Sequence, residues 1–140
     1  MFREIKVLQD FPHDNIVHLQ DIFRQHGKLY LIFDYIERTL LEELQARQRE
    51  DEDCQGLPPE QIKMVTYQIL KSVQFLHASK VLHRDVKPEN LLISTNGVVK
   101  LCDFGFARGI KADPKFQYTD YVSTRWYRAP ELLVGDANYN

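Results

Sequence analysis

No run of about 18 consecutive apolar residues occurs in this 140-residue chain, so nothing in it reads as a membrane-spanning helix. The opening residues, Met1-Phe2-Arg3-Glu4-Ile5-Lys6, lack the apolar core of a signal peptide. Cysteine is scarce: Cys54 and Cys102 lie far apart, with no Cys-x-x-Cys and no metal-ligand spacing. A reduced, intracellular setting is the simple expectation, cytoplasmic or nuclear. An excess of one charge is lacking too. Eighteen Lys and Arg against 20 Asp and Glu give a net charge of -2, which makes no electrostatic case for nucleic acid. There is no internal repeat and no low-complexity segment. The remaining balance, 44% hydrophobic and 27% charged, fits one soluble globular unit.

Phe2, Ile5 and Leu8 recur at helical spacing, and the pattern stops at Phe11-Pro12-His13-Asp14. No capping residue precedes it, so the chain is expected to start inside a helix and to be truncated. Strands are expected over residues 16–23 and 29–33, joined by Arg24-Gln25-His26-Gly27. Residues 39–49 read as a short helix, and the mixed-sign stretch from Arg47 to Asp53 as a solvated insertion rather than an acidic docking loop. Pro58-Pro59 opens a helix, since proline is tolerated in the first turn. Its Ile62, Val65, Ile69, Val73 and Leu76 form one apolar stripe, expected to be core. Strands over 91–93 and 98–102 follow, joined by Ser94-Thr95-Asn96-Gly97, in which Asn-Gly is a hairpin signal. Residues 103–140 have little periodicity and read as a long, ordered, functional loop.

Three motifs carry chemistry. His83-Arg84-Asp85-Val86-Lys87-Pro88-Glu89-Asn90 fits H-R-D-x-x-x-x-N, Asp103-Phe104-Gly105 follows one strand later, and Ala129-Pro130-Glu131 closes the segment. Each tripeptide alone is weak. In this order, with a helix before and a hairpin between, they make the chain resemble the eukaryotic protein kinase family. The resemblance implies an α+β fold with two lobes, here incomplete. Residues 1–36 would be the end of the small β-rich lobe and the hinge, and 37–140 the front half of the helical lobe with its catalytic and activation segments.

The implied reaction is transfer of the ATP γ-phosphate to Ser or Thr of proteins, with Mg2+. Such transfer needs positioning and charge neutralisation more than covalent help. By the resemblance, Asp85 accepts or orients the proton of the substrate hydroxyl, and Lys87 places positive charge on the moving phosphate. Asn90 and Asp103 supply hard oxygen ligands for magnesium. Gly105 lets the backbone turn after the metal ligand. His83 is expected to be structural, hydrogen-bonded in the core.

The nucleotide site would draw on Glu4, the helix glutamate of the ATP-contacting pair, and on Phe33, Asp34 and Ile36 of the hinge. Leu92 would form its floor, and Lys87, Glu89, Asn90 and Asp103 its phosphate side. Leu8, Leu19, His83 and Phe104 match the stacked column that links the lobes. Plain core packing remains compatible with the roles of Phe33 and Leu92.

Ser123-Thr124-Arg125-Trp126-Tyr127-Arg128-Ala129-Pro130-Glu131 resembles the cyclin-dependent and mitogen-activated kinase group, and Thr119-Asp120-Tyr121 resembles its T-x-Y activation motif. Leu101-Cys102-Asp103-Phe104-Gly105-Phe106-Ala107-Arg108 and Leu132-Leu133-Val134-Gly135-Asp136 make the cyclin-dependent-kinase-like subfamily the nearest match. Thr124 and Arg128 would then shape a substrate pocket that favours proline after the target residue. Arg3, Arg84 and Arg108 would surround a phosphate on Thr119 or Tyr121, placed there by an upstream activating kinase. A solvated helix residue is the lesser alternative for Arg3. A cyclin-type partner is left undetermined.

The chain departs from the family pattern in lacking a G-x-G-x-x-G loop and the strand lysine that would pair with Glu4. Glu131 is expected to lack a buried arginine partner, which would be costly for a buried charge. Two readings follow: an incomplete record of an active kinase, or a noncatalytic interaction fragment. The intact motif residues favour the first, and the isolated chain is expected to bind ATP poorly and not turn over. Cys102 is expected to be a small buried hydrophobe, with an electrophile-reactive thiol as the alternative.

Overall fold

In the computed structural model, residues 8–9, 12–50, 56–110 and 125–136 are described. Arg3, Glu4, Thr119, Tyr121 and Thr124 lie outside the described residues, as does Cys54. The elements in order are β1 (Leu19–Gln25), β2 (Lys28–Phe33), β3 (Arg38–Thr39), α1 (Leu40–Glu50), α2 (Pro59–Ala78), β4 (Val81–Leu82), β5 (Leu91–Ile93), β6 (Val99–Leu101), β7 (Arg108–Gly109) and α3 (Pro130–Leu133). The fold is α+β: helices beside small antiparallel sheets.

β1 and β2 form a hairpin with Gln25 opposite Lys28. His26 and Gly27 both turn with positive φ, 50° and 75°, which suits the right-handed twist of a two-residue hairpin. The first strand begins three residues later than the sequence pattern suggests and runs two further. Ile16 and Val17 instead meet Leu101, where Val17 N–H donates to the Leu101 carbonyl at 3.0 Å. The edge of β6 offers these residues partners that the hairpin cannot.

β3, β5 and β6 form an antiparallel sheet in that order. α1 starts with a reciprocal cap: Thr39 Oγ1 accepts from Glu42 N–H at 3.1 Å, and Glu42 Oε2 accepts from Thr39 N–H at 2.7 Å. Thr39 therefore serves as strand end and cap together, one residue before the helix proper. α2 carries most of the expected stripe inward, with Val65 and Leu76 buried and Ile69 packed on the core. Ile62 is the correction: it is 50% exposed, because the buried line along α2 is Val65, Ile69, Ser72 and Leu76, and Ile62 lies a turn before it.

Residues 103–140 are not uniformly loop. β7 pairs with β4, Arg125–Tyr127 makes a single 3-10 turn, and α3 follows. The expected strand over 98–102 is shorter at both ends, since Cys102 N–H leaves the ladder for the Asn90 carbonyl at 2.9 Å. One core joins β1, α1, α2, β4, β5 and β6: Leu19, Leu76, Val81, Val99 and Leu101 are each at most 2% exposed, and Leu8 joins the same cluster. No helix among the described residues is long and apolar enough to cross a membrane.

Candidate active site

Two loops meet because their flanking strands pair. Residues 83–90 run from β4 to β5, residues 102–107 from β6 to β7, and β4 pairs with β7 as β5 pairs with β6. Asp85, Lys87 and Asn90 of the first loop are therefore set against Asp103 of the second.

Asp85 is 1% exposed. A carboxylate held this far from water needs compensation by hydrogen bonds or opposite charge. Both are present. Lys87 Nζ lies 2.9 Å from Asp85 Oδ2, and Asn90 Nδ2 donates to that same oxygen and to the Asp85 carbonyl, each at 2.8 Å. The Asp85 carboxylate in turn holds the Lys87 ammonium above its ordinary pKa. Asn90 is itself buried, carried on the one-turn 3-10 helix Pro88–Asn90.

His83 supports this loop from inside. Its Nδ1 accepts from Asp85 N–H at 3.3 Å, which leaves Nε2 to carry the proton and donate to the Cys102 carbonyl at 3.0 Å. Burial pushes its pKa below the usual histidine value, so the ring is neutral and bridges the two loops. Its ring meets Phe104 edge-on at 4.9 Å. The structural role expected for His83 agrees with this packing; of the rest of the expected column, Leu8 and Leu19 lie in the buried core cluster and Phe104 packs against it.

Asp103 sits at φ 57°, in the left-handed region, and its side chain is exposed. Its Oδ1 accepts from Gly105 N–H at 3.1 Å. A Cβ at Gly105 would stand 3.1 Å from that same oxygen, so any larger residue would crowd the carboxylate. The Cys102 N–H bond to the Asn90 carbonyl ties this turn to Asn90. Among the described residues no group of three or more His, Cys, Asp or Glu could cage a metal. Magnesium does not need such a cage. It binds through one or two hard oxygens with phosphate and water completing the shell, a requirement that the Asn90 amide oxygen and the Asp103 carboxylate fit.

The residues expected to form a hinge leave β2 at Phe33. Asp34 N–H donates to the His18 carbonyl at 3.1 Å, and its carboxylate accepts from Gln20 Nε2 at 2.7 Å and faces Lys100 Nζ at 3.7 Å. Residues 34–37 then feed β3, where Thr39 pairs with Leu92. Ile36, in the segment that enters β3, and Leu92, across the ladder from Thr39, are both half-buried. Glu89 is half-buried beside Asn90, with its Oε2 shielded from water.

Of the arginines expected around a phosphate, Arg84 follows β4 and Arg108 lies on β7, the strand that pairs with it. Leu82 pairs with Arg108, and Arg84, two residues beyond Leu82, donates from Nε to the Phe106 carbonyl at 2.7 Å. Arg84 holds this position at φ 70°. Arg128 is half-buried after the turn at Arg125–Tyr127. Glu131 is exposed, so its charge carries no burial cost, contrary to the expectation from sequence. Cys102 is half-buried, and burial pushes its thiol up to about 11, as suits a packed side chain rather than a reactive nucleophile.

Two residues had not been singled out from sequence. Asn15 and Gln68 bond each other at 2.9 Å and both reach Val99. For Gln68 the available signal was an amide beside the mostly apolar stripe of α2; Asn15 had none.

The family described as protein kinase domain matches residues 1–140. The chain is 50% identical to Cyclin-dependent kinase-like 5 of Mus musculus over 133 residues, which is 95% of this chain and 14% of that protein. It is 46% identical to Cyclin-dependent kinase-like 2 of Homo sapiens over 137 residues, 98% of this chain and 26% of that protein. It therefore spans only a small part of the length of these relatives.

Proposed function

The chain belongs to the protein kinase domain family, and on that premise we propose that its full-length protein phosphorylates Ser or Thr in proteins, with proline favoured after the target. One observation carries the reading: a carboxylate 1% exposed, Asp85, is held ready by Lys87 and Asn90 beside the exposed Asp103 carboxylate. That arrangement offers an oriented base in a dry setting and a separate hard-oxygen ligand.

Asp85 orients the substrate hydroxyl and takes its proton. Lys87, anchored by Asp85, presents positive charge where negative charge moves. Asn90 and Asp103 would hold Mg2+, and Phe33, Asp34, Ile36, Leu92 and Glu89 would line the nucleotide side. When bound, ATP with Mg2+ supplies the phosphoryl group and neutralises part of its charge. Arg84 and Arg108, on the segments that meet at the β4/β7 pair, would receive an activation-segment phosphate, with Thr119 and Tyr121 the sites read from sequence. Thr124 and Arg128 are the residues we assign to proline preference, on resemblance alone.

The test uses the full-length protein with Mg2+ and ATP on paired peptides differing only in Pro or Ala after the target Ser. Phosphorylation that favours the Pro peptide and is abolished in Asp85→Asn is the expected result. Phosphorylation without Pro preference removes the specificity, and a folded protein that transfers no phosphate leaves the noncatalytic interaction reading in its place.

A further inference from the structure

Among the described residues β6 is an edge strand in its sheet: β5 covers one side, and no strand covers the other. The residues whose polar groups face that open side are Val99 and Leu101, and an uncovered strand edge is prone to slip or fray. Here two side chains and a short run of backbone take the place of a strand. Gln68 Oε1 accepts from Val99 N–H at 2.9 Å, and Asn15 Nδ2 donates to the Val99 carbonyl at 2.9 Å. Two residues on, Leu101 N–H donates to the Asn15 carbonyl at 2.9 Å, and the Leu101 carbonyl accepts from Val17 N–H at 3.0 Å.

Gln68 holds both halves of this substitute strand. The same Oε1 accepts from Asn15 Nδ2 at 2.9 Å, while its Nε2 donates to the Gly97 carbonyl at 3.1 Å, in the turn that enters β6. A neighbouring contact braces the Asn15 segment against α2: His13 accepts from Asn15 N–H at 3.0 Å and packs its ring 4.9 Å from Phe75. One neutral amide, accepting at one end and donating at the other, therefore fixes the start of β6, its open edge and the segment before β1. Neither a carboxylate nor a thioether can make all three bonds.

β6 ends two residues before Asp103, and the left-handed turn at Asp103 aims its carboxylate relative to that strand. We propose that Gln68 is a positioning residue for metal binding: by fixing the edge of β6 it sets where Asp103 meets Asn90. This rests on the reading of Asn90 and Asp103 as the magnesium ligands. Groups bonded directly to metal ligands typically change metal affinity about 10- to 100-fold when removed, and Gln68, which acts through β6, is placed at the lower end of that range.

The experiment compares full-length wild type, Gln68→Met and Gln68→Glu. It measures the Mg2+ concentration for half-maximal phosphate transfer, the peptide KM, and amide exchange by mass spectrometry or NMR. Gln68→Met is expected to raise half-saturating Mg2+ about tenfold with peptide KM unmoved, and to speed exchange at Leu101 and Cys102 relative to α2. Gln68→Glu keeps the two accepting bonds and the shape. It is expected to give a smaller shift in the same direction, and it serves if the Met variant does not fold. Unchanged Mg2+ dependence, or a loss of rate with exchange raised uniformly, overturns the proposal. If wild type transfers no phosphate, the kinase reading fails by itself, and exchange decides on Gln68: selective loosening of β6 upholds its positioning of the strand, and uniform loosening overturns it.

Discussion

Lys87 Nζ lies 2.9 Å from Asp85 Oδ2, the same oxygen that accepts from Asn90 Nδ2 at 2.8 Å. One oxygen of a carboxylate 1% exposed is thus gripped by a cation and an amide, both from its own loop. The pair couples stability to chemistry, because the group proposed to take a proton is also the group that anchors the loop.

Asp85→Asn removes the charge and keeps the shape. Phosphate transfer by the full-length protein is expected to fall at least about 100-fold, measured as kcat on a peptide substrate. Lys87→Met withdraws one partner from the buried carboxylate, and is expected to lower unfolding free energy by about 1–3 kcal/mol in urea titration. A Lys87→Met protein as stable as wild type would mean that Asn90 alone suffices to hold Asp85.

Histidine protonation sets a pH slope. His83 and His13 both titrate below the usual histidine value in the fold, mainly because burial disfavours the charged ring. The unfolded chain therefore binds more protons between the lowered folded pKa values and about 6.5, so stability rises with pH there. Tm is expected to fall from pH 7.5 to pH 5.5, and to fall less in His83→Phe. Equal slopes in the two proteins would show that His83 is not buried as a neutral ring.

Cys102 is expected to resist alkylation. A thiol pushed from 9.0 to about 11 carries about 100-fold less thiolate at neutral pH. Iodoacetamide labelling at pH 7.5, read by peptide mapping, should spare Cys102 in the folded protein and modify it in denaturant. Rapid labelling of the folded protein would contradict the packing described for this position.

The cap of α1 is testable by itself. Thr39→Ala removes the hydroxyl that accepts from Glu42 N–H and is expected to cost about 1 kcal/mol, while Thr39→Ser costs little. The Thr39 backbone N–H holds the Glu42 carboxyl below the usual carboxylate range. The cap should accordingly be complete above the ordinary glutamate pKa and weaken as pH falls through the folded value, seen as loss of helical circular dichroism.

Much of this was legible in the sequence because it is local. The motif from His83 to Asn90 brings base, lysine and amide within eight residues, and Asn90 can reach Asp85 across a single 3-10 turn. His26-Gly27 and Asn96-Gly97 announce turns because the backbone there needs positive φ at glycine. Thr39 and Glu42 announce a helix start because the cap uses neighbours three residues apart. Hydrophobic periodicity located α2 but misjudged Ile62, since periodicity marks a face and not how far along the helix that face is covered.

Tertiary structure decided what depends on partners distant in the chain. Val17 prefers Leu101 to the hairpin, Arg108 pairs back to Leu82, and Gln68 reaches Asn15, Val99 and Gly97. Each of these choices is set by which buried polar group would otherwise lose its hydrogen bond, and that cost exists only once the surrounding core has excluded water. The sequence by itself determined which residues are candidates for the chemistry. Only the fold, by satisfying those buried groups across the chain, determined how firmly Asp85 and Asp103 are held.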